Sequence, residues 1–247
     1  MITLKNRTCV FAGASGQIGR GAVKALAEQG MNVIMITHNA VKAGEIVNEM
    51  KNLAGQVVAM SNEECNEALF SRIYGVFGSV DAVIISTGGM MSVVRPEEIS
   101  DELLNEKMSH QVTEPYNMVR AALPYLKKSE APRVIFVANG GALDGYAGEN
   151  IADSIANGGV VSMTYALARA LAHDRITVNC IARSGMINDH TPELATDFDV
   201  ASIARDIPLG HIGTNDEFGA LVQYIASEEA GYVTGHVFSL TGGLHIG

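Results

Sequence analysis

A glycine-rich turn near the amino terminus is the clearest candidate for ligand chemistry in this sequence. The segment Gly13–Gly19, with the sequence GASGQIG, lies between a predicted strand and a predicted helix. Glycine lets the backbone turn sharply and approach a ligand, and the amides that begin a helix attract anions. This order of elements is typical of a pyrophosphate site for a dinucleotide. The alternative is a structural turn in which the glycines only allow tight packing. The expected phosphate contacts are Gly13, Ser15, Gly16, Gln17, Ile18 and Gly19.

The residues after the second predicted strand are expected to contact the adenosine end of such a dinucleotide. An acidic residue there typically binds the ribose hydroxyls of NAD, and an arginine favours the 2′-phosphate of NADP. This sequence has Thr37, His38 and Asn39 instead. His38 or Thr37 could accept a 2′-phosphate, Asn39 could contact a ribose, and a solvated loop is an equally good interpretation. The choice between NAD and NADP therefore stays open.

Two further residues could act on a substrate. Arg183 follows the sixth predicted strand, and a guanidinium there could clamp a substrate carboxylate or a cofactor phosphate. The alternative for Arg183 is an ion pair with an acidic residue such as Asp189. His190 could exchange a proton near neutral pH, although a loop histidine is more often simply solvated. His190 lies in the irregular segment 186–208, which we expect to form a flap over the sheet edge.

The elements that position these residues follow from alternating strand-like and helix-like patterns. Runs rich in Val and Ile, with little polar alternation, predict strands of a parallel sheet that is buried on both faces. They are Thr8–Ala12, Asn32–Thr37, Gln56–Met60, Asp81–Ser86, Arg133–Ala138, Ile176–Ile181 and His236–Leu240. Helices are predicted at Gln17–Gln29, Val41–Leu53, Glu64–Phe77, Asp101–Leu126, Asp153–His173 and Asp216–Ser227. Such alternation predicts a doubly wound α/β sheet in one domain, 1–247, with Pro115 kinking or dividing the fourth helix.

Composition excludes several classes of partner. The chain has 247 residues and a net charge of −10, which argues against nucleic acid and anionic membranes as partners. No apolar run reaches the roughly 18 residues that a membrane span needs. Cys9, Cys65 and Cys180 lie far apart, so we expect reduced thiols, a cytoplasmic location and neither a disulfide framework nor a metal site.

Several segments resemble the short-chain dehydrogenase/reductase family, and the resemblance covers nearly the whole chain. Ala82–Gly89 is similar to the family's fourth strand and its Asn-Asn-Ala-Gly turn, of which only a glycine remains. Ile176–Ala182 is similar to its sixth strand. The most specific similarities are in the carboxyl-terminal part, at Ile207–Gly213, Tyr232–Val237 and Thr241–Gly243.

This resemblance implies a fold, a cofactor and an assembly. The fold is a single Rossmann-type domain, a doubly wound seven-stranded parallel sheet with helices on both faces. The activity is that of an oxidoreductase that uses NAD or NADP with a small carbonyl or alcohol, and Gly88 is an implied cofactor contact. Homodimers or homotetramers built from the two long helices and the last strand are implied as well.

The same resemblance locates an active site whose usual residues are all replaced. In the family, a Ser binds the substrate oxygen, a Tyr transfers its proton, a Lys assists the Tyr and binds the nicotinamide ribose, and an Asn steadies the Lys. The matching positions hold Asn139, Asp153, Asn157 and Gln111. An aspartate is normally ionised near neutral pH, so it suits a general base better than a proton donor. Asn157 brings no charge, so weaker cofactor binding is expected, and Tyr146 is an alternative proton donor.

Three hypotheses follow from these replacements. The first is an enzyme with an unusual active site centred on Asp153, which catalyses a redox or a proton-transfer reaction such as isomerisation or dehydration. The second is a catalytically silent relative that senses nicotinamide or scaffolds a complex. The third is an ordinary reductase in which Tyr146 is the proton donor. The retained glycine turn favours the first of these hypotheses.

Overall fold

The core of the protein is a parallel sheet. The computed structural model describes residues 4–61, 66–86, 94–145, 151–186 and 204–246, apart from the side chain of Gln17. Seven strands lie in the order β3-β2-β1-β4-β5-β6-β7. They are β1 Thr8–Ala12, β2 Asn32–Thr37, β3 Val57–Ser61, β4 Ala82–Ile85, β5 Arg133–Asn139, β6 Thr177–Arg183 and β7 Val237–Leu240. The predicted doubly wound sheet is thus confirmed, and the assignment of residues 1–247 to one domain stays a prediction that this continuous sheet supports.

Helices cover both faces of the sheet. Apolar residues of α1, α2 and α8 pack on one face, and those of α3, α5 and α7 pack on the other. The helices are α1 Gln17–Glu28, α2 Ala40–Met50, α3 Glu67–Phe77, α4 Asp101–Met108, α5 Glu114–Leu126, α6 Gly141–Asp144, α7 Ile151–Leu171 and α8 Asn215–Ala226. Burial of both faces explains why the strands are almost entirely apolar. Among the described residues, no helix is long and apolar enough to cross a membrane.

The predicted helix Asp101–Leu126 is divided, as expected, next to Pro115. Between α4 and α5 the backbone forms a π-helical turn at Ser109–Thr113, and the amide of Glu114 donates to the carbonyl of Ser109. Pro115 lies in the first turn of α5, where its missing N–H costs least. Single π-turns inside helices occur frequently at functional sites. Here the π-turn contains Gln111, one of the predicted site residues.

Two of the cysteines are buried in the sheet. Cys9 in β1 and Cys180 in β6 are free thiols. Burial raises the pKa of both thiols, that of Cys180 to about 12. A thiol of that kind is unreactive, because the thiolate is the reactive form. The prediction of buried, reduced thiols is therefore confirmed for these two, while Cys65 lies outside the described residues.

Candidate active site

The glycine turn is shaped in part by the chain's own packing. Gly13, directly after β1, has φ +81°, and a Cβ there would collide with the carbonyl oxygen of Ser86, just after β4. A Cβ at Gly19 would lie 2.7 Å from the Cα of Ala14. Both glycines are therefore required by the fold itself. Their presence alone is therefore weak support for a ligand site. Stronger support has to come from the structure at the start of α1.

The start of α1 fits an anionic group. Its N-cap is Gly16, with an extended backbone at φ −72° and ψ 160°, no side-chain cap and no acidic residue in the first turn. Helices α3, α4 and α8, by contrast, begin with side-chain caps and with acidic residues in their first turns. An acidic residue at a helix N-terminus competes with a bound phosphate for the same amides and the same partial charge. The turn before α1 therefore fits the pyrophosphate of a dinucleotide.

The end of β2 is tied to this glycine turn. The hydroxyl of Thr37 lies 2.9 Å from the hydroxyl of Ser15 and accepts a hydrogen bond from the amide of Asn39 at 2.9 Å. Thr37 is buried, so its hydroxyl holds the turn together. His38 is exposed beside it. Of the two residues predicted to accept a 2′-phosphate, His38 is the more accessible.

The four residues predicted to replace the family's catalytic set form one connected cluster. The side-chain amide of Gln111 donates to Asp153 Oδ1 at 2.8 Å and accepts from Asn157 Nδ2 at 2.7 Å. Asn157 Oδ1 accepts from the backbone amide of Asn139 at 2.8 Å. The π-turn, α7 and the end of β5 thus meet at these residues. We call Lys107, Gln111, Asn139, Asp153 and Asn157 the Asp153 cluster.

Lys107 is the member of the Asp153 cluster that the sequence analysis missed. Its Nζ lies 3.1 Å from Asp153 Oδ1, and the two side chains are only 8% and 9% exposed. Lys107 precedes Gln111 by one helical turn, so both residues lie on the same face. That spacing is the signal that could have indicated it. The carboxylate at the predicted tyrosine position is therefore paired with an ammonium from α4.

Asn139 joins the Asp153 cluster through its backbone. Its side-chain Oδ1 accepts a hydrogen bond from the amide of Gly141 at 2.9 Å, at the start of α6. The side chain thus organises the turn that follows β5. The family resemblance puts Asn139 at the position of the substrate-binding Ser. The side chain of Asn139 caps the turn that directly follows this position.

Arg183 places a cation at the same edge of the sheet. It ends β6, where it pairs with Asn139 on β5 and Leu240 on β7. Burial lowers the pKa of its guanidinium. Within the described part of the chain, its Nε is buried and has no hydrogen-bond partner. Both interpretations of Arg183, an anion-binding guanidinium and an ion pair with Asp189, stay predictions, because Asp189 lies outside the described residues.

Three predicted site residues, Gly88, Tyr146 and His190, lie outside the described residues. The same holds for most of the predicted flap 186–208, of which Met186 and 204–208 are described. These assignments stay predictions.

Comparison with known proteins agrees with the fold. A family model described as Enoyl-(Acyl carrier protein) reductase matches residues 13–245. The 3-oxoacyl-[acyl-carrier-protein] reductase FabG of Vibrio cholerae is 29% identical over 99% of this chain and 100% of its own length. A dehydrogenase/reductase from Sinorhizobium meliloti has a similar structure, with a TM-score of 0.89, 24% identity and coverage of 99% and 97% of the two chains. A Pseudomonas aeruginosa RhlG/NADP active-site complex superposes with a TM-score of 0.88 and 22% identity, covering 99% and 98%.

The parallel sheet with a glycine turn after its first strand defines a Rossmann-type α/β protein. With the family model matching nearly the whole sequence, the chain belongs to the short-chain dehydrogenase/reductase family. That family is one of oxidoreductases that bind NAD or NADP.

The interaction energy of the ion pair at the centre of the Asp153 cluster can be measured through the free energy of unfolding. Lys107→Met leaves a buried carboxylate without its counter-charge, so we expect the free energy of unfolding to fall by about 3–5 kcal/mol. Lys107→Met/Asp153→Asn removes both charges of the pair, so the loss should be clearly smaller than the sum of the single losses. Urea unfolding of the four proteins gives the coupling energy, which we expect to exceed about 1 kcal/mol.

The surface pair of Lys127 and Asp174 is the matched control, because it has the same residue types at 2.9 Å but is half-exposed. Its coupling energy in Lys127→Met/Asp174→Asn should lie between about 0.2 and 1 kcal/mol. Equal coupling energies for the buried and the exposed pair would contradict the central role of the Lys107–Asp153 pair.

Proposed function

We propose that this protein is an NAD(P)-dependent oxidoreductase that acts on a small carbonyl or alcohol compound through an unusual active site centred on Asp153. The observation that carries the proposal is the position of the Asp153 cluster, at the carboxyl edge of the sheet on which the glycine turn also lies. In open α/β sheets, ligands bind at this edge where the strand order reverses. Here it reverses between β1 and β4, next to the glycine turn. The alternative within this proposal is an enzyme that uses the same site for a proton-transfer reaction.

Different residues in the described part of the chain would bind different parts of the dinucleotide and the substrate. The amides at the start of α1 hold the pyrophosphate, and exposed His38 lies where the adenosine ribose or its phosphate is expected. Asn157 can offer hydrogen bonds to a ribose hydroxyl, and Arg183 supplies a positive charge for an anionic group of the substrate or cofactor. When bound, NAD(P)H supplies a hydride to a carbonyl carbon, and NAD(P)⁺ accepts one from an alcohol.

We propose an orienting role for Asp153. Its carboxylate is engaged by the ammonium of Lys107 and the amide of Gln111, so taking up a proton would break an ion pair in a buried site. Through Gln111 and Asn157, the carboxylate instead fixes the backbone at Asn139. Rigid support of this kind determines whether a site is held in its productive geometry. The hypothesis that Asp153 is a general base remains the competing interpretation.

A second candidate function is nicotinamide binding without turnover, by a catalytically silent member of the family. Each predicted catalytic position in the Asp153 cluster is engaged by a partner within the cluster, which is the arrangement that a purely structural centre would have. The two candidates differ in turnover but share dinucleotide binding. The experiments below therefore measure binding and turnover separately.

Dinucleotide binding tests the first step of the proposal. We expect one pair among NAD, NADH, NADP and NADPH to stabilise the protein, by about 2.7 kcal/mol at a hundredfold excess over the dissociation constant. Gly16→Asp puts a carboxylate at the N-cap of α1, where it favours the helix but repels a phosphate. Gly16→Asp should therefore keep or raise the melting temperature of the ligand-free protein and lose the dinucleotide-dependent shift.

Gly16→Ser is the matched control, because it also offers a cap but carries no charge. It should retain most of the shift. If no dinucleotide shifts the melting temperature of the unmodified protein, both the oxidoreductase and the nicotinamide-sensing proposals fail.

Turnover tests the role of Asp153. The natural first probes are 3-oxoacyl thioesters, because several relatives carry the name 3-oxoacyl-[acyl-carrier-protein] reductase, followed by small ketones and alcohols. An orienting role predicts that Lys107→Met/Asp153→Asn, which removes both charges, keeps kcat within roughly tenfold of the unmodified protein. A loss of about 10²–10⁴-fold would instead be that of a general base. Binding without turnover of any probe in the unmodified protein would favour the silent relative.

We also propose that the protein assembles as a homodimer or homotetramer through its two long helices. Large apolar side chains are exposed on α5 at Tyr116 and on α7 at Ile155 and Tyr165. Buried in an interface, they would leave water. Light scattering should show an oligomer that Ile155→Glu/Tyr165→Glu reduces to smaller species. Val76→Glu, on the exposed face of α3, is the control and should leave the mass unchanged. A monomeric unmodified protein would contradict the proposal.

A further inference from the structure

A histidine and a carboxylate pair at the turn that follows β5, next to Asn139 of the Asp153 cluster. Nδ1 of His245, in the turn after β7, lies 2.9 Å from both oxygens of Asp144, the last residue of α6. The histidine side chain is 5% exposed and the aspartate side chain is 35% exposed. The two residues are 101 positions apart in the sequence. A nearly buried imidazole is thus joined to a carboxylate that reaches solvent.

The backbone of His245 is fixed by two hydroxyl groups. Its carbonyl accepts hydrogen bonds from Ser239 Oγ at 2.8 Å and from Thr241 Oγ1 at 3.0 Å. Its amide donates to Thr241 Oγ1 at 3.3 Å. The ring is therefore held at its backbone by the turn after β7 and at Nδ1 by Asp144. Such support from two directions is what a preorganised functional side chain needs.

The other edge of the ring lies against the turn that follows β5. A Cβ on Gly140 would lie 2.5 Å from Cδ2 and 3.1 Å from Nε2 of His245, and it would collide with Ser184 Oγ. The histidine edge and the serine hydroxyl therefore converge on Gly140, where only glycine leaves room. Gly140 directly follows Asn139, whose amide donates to the Asp153 cluster. The histidine pair thus adjoins the same backbone turn, at the end of β5, that Asn139 joins to the Asp153 cluster.

We propose that His245, oriented by Asp144, is the residue that transfers the proton to or from the substrate oxygen, with Ser184 as a hydrogen-bonding partner of that oxygen. This inference rests on the proposed oxidoreductase function and names the residue that performs its proton step. A carboxylate on Nδ1 fixes the orientation of an imidazole and directs Nε2 to the reacting group. In this chain, Nε2 lies on the side of Ser184 and Gly140.

The proton step balances in both directions. In reduction, the carbonyl carbon accepts a hydride, the π electron pair of the carbonyl moves onto oxygen, and that oxygen takes the proton from Nε2 of the imidazolium. His245 is left neutral, Asp144 stays ionised, and a proton from solvent restores the imidazolium. In oxidation, neutral His245 takes the hydroxyl proton while the hydride leaves the carbinol carbon for the oxidised dinucleotide, and His245 then releases the proton to solvent. The partial exposure of Asp144 places solvent next to the pair for this exchange.

The proposal predicts a selective loss of turnover. With an acetoacetyl thioester and the reduced dinucleotide that binds, His245→Gln should lower kcat by about 10²–10⁴-fold, as expected for loss of a general acid. Dinucleotide binding, measured by the shift in melting temperature, should stay within about threefold of the unmodified protein. Asp144→Asn keeps the shape of the pair but removes its charge, and it should lower kcat by a smaller factor.

His110→Gln is the matched control. His110 Nδ1 also pairs with a carboxylate at 2.9 Å, that of Glu114, but both side chains are exposed on the surface. This variant should leave kcat unchanged. An unchanged kcat in His245→Gln would overturn the inference while leaving the proposed oxidoreductase function in place. Absence of dinucleotide binding or of any turnover in the unmodified protein would overturn both.

Nitrogen-15 spectra of the histidine rings give a readout that does not depend on turnover. In the unmodified protein, the His245 Nδ1 signal should be that of a protonated nitrogen bonded to a carboxylate, and Asp144→Asn should shift it. Adding the acetoacetyl thioester should move the Nε2 signal of His245 and leave that of His110 in place. If the His245 signals respond neither to Asp144→Asn nor to the thioester, the inference is wrong. Asp144→Asn, at a partly exposed position, also serves if His245→Gln fails to fold.

Discussion

The carboxylate of Asp153 is almost fully buried, and a buried charge must be compensated within the protein. This requirement determines the arrangement around it. Lys107 brings the counter-charge from α4, and Gln111 brings a hydrogen-bond donor from the π-turn. The π-turn lies between α4 and α5 and contains Gln111, which donates its hydrogen bond to Asp153 on α7. Asn157 accepts a hydrogen bond from the backbone amide of Asn139 and donates one to Gln111. Hydrogen bonds around one buried charge thus join α4, the π-turn and α7 to the end of β5.

Local sequence patterns were sufficient to predict the sheet. The runs Thr8–Ala12 and Asn32–Thr37 have the predicted bounds, because a strand that is buried on both faces needs an unbroken apolar run. The other strands differ from prediction by one or two residues at their ends, where hydrogen bonding to neighbours decides the last pair. Pro115 correctly indicated a break in the long helix, since its ring and missing N–H exclude a regular interior position. The π-turn itself was not predicted, and neither was the hydrogen bond by which its Gln111 contacts Asp153 on α7.

Contacts that join distant parts of the chain were predicted only where the family resemblance provided them. Gln111 and Asp153 are 42 residues apart, and no helical or strand period spans that separation. The resemblance indicated both positions because the family has functional residues there. It could not indicate Lys107 or the pair of Asp144 and His245, because a resemblance transfers known positions and not new ones. The structure shows both pairs by placing their polar atoms next to each other.

The pair of Lys107 and Asp153 and the pair of Asp144 and His245 differ in their exposure to solvent. The pair of Lys107 and Asp153 is almost fully buried on both sides, so it suits a supporting role. In the pair of Asp144 and His245 the carboxylate reaches solvent, so this pair suits proton exchange. Both pairs adjoin the turn after β5, one through the amide of Asn139 and the other against Gly140. The site can therefore keep the rigid centre that a buried ion pair provides and still exchange protons, because the two tasks fall to different carboxylates.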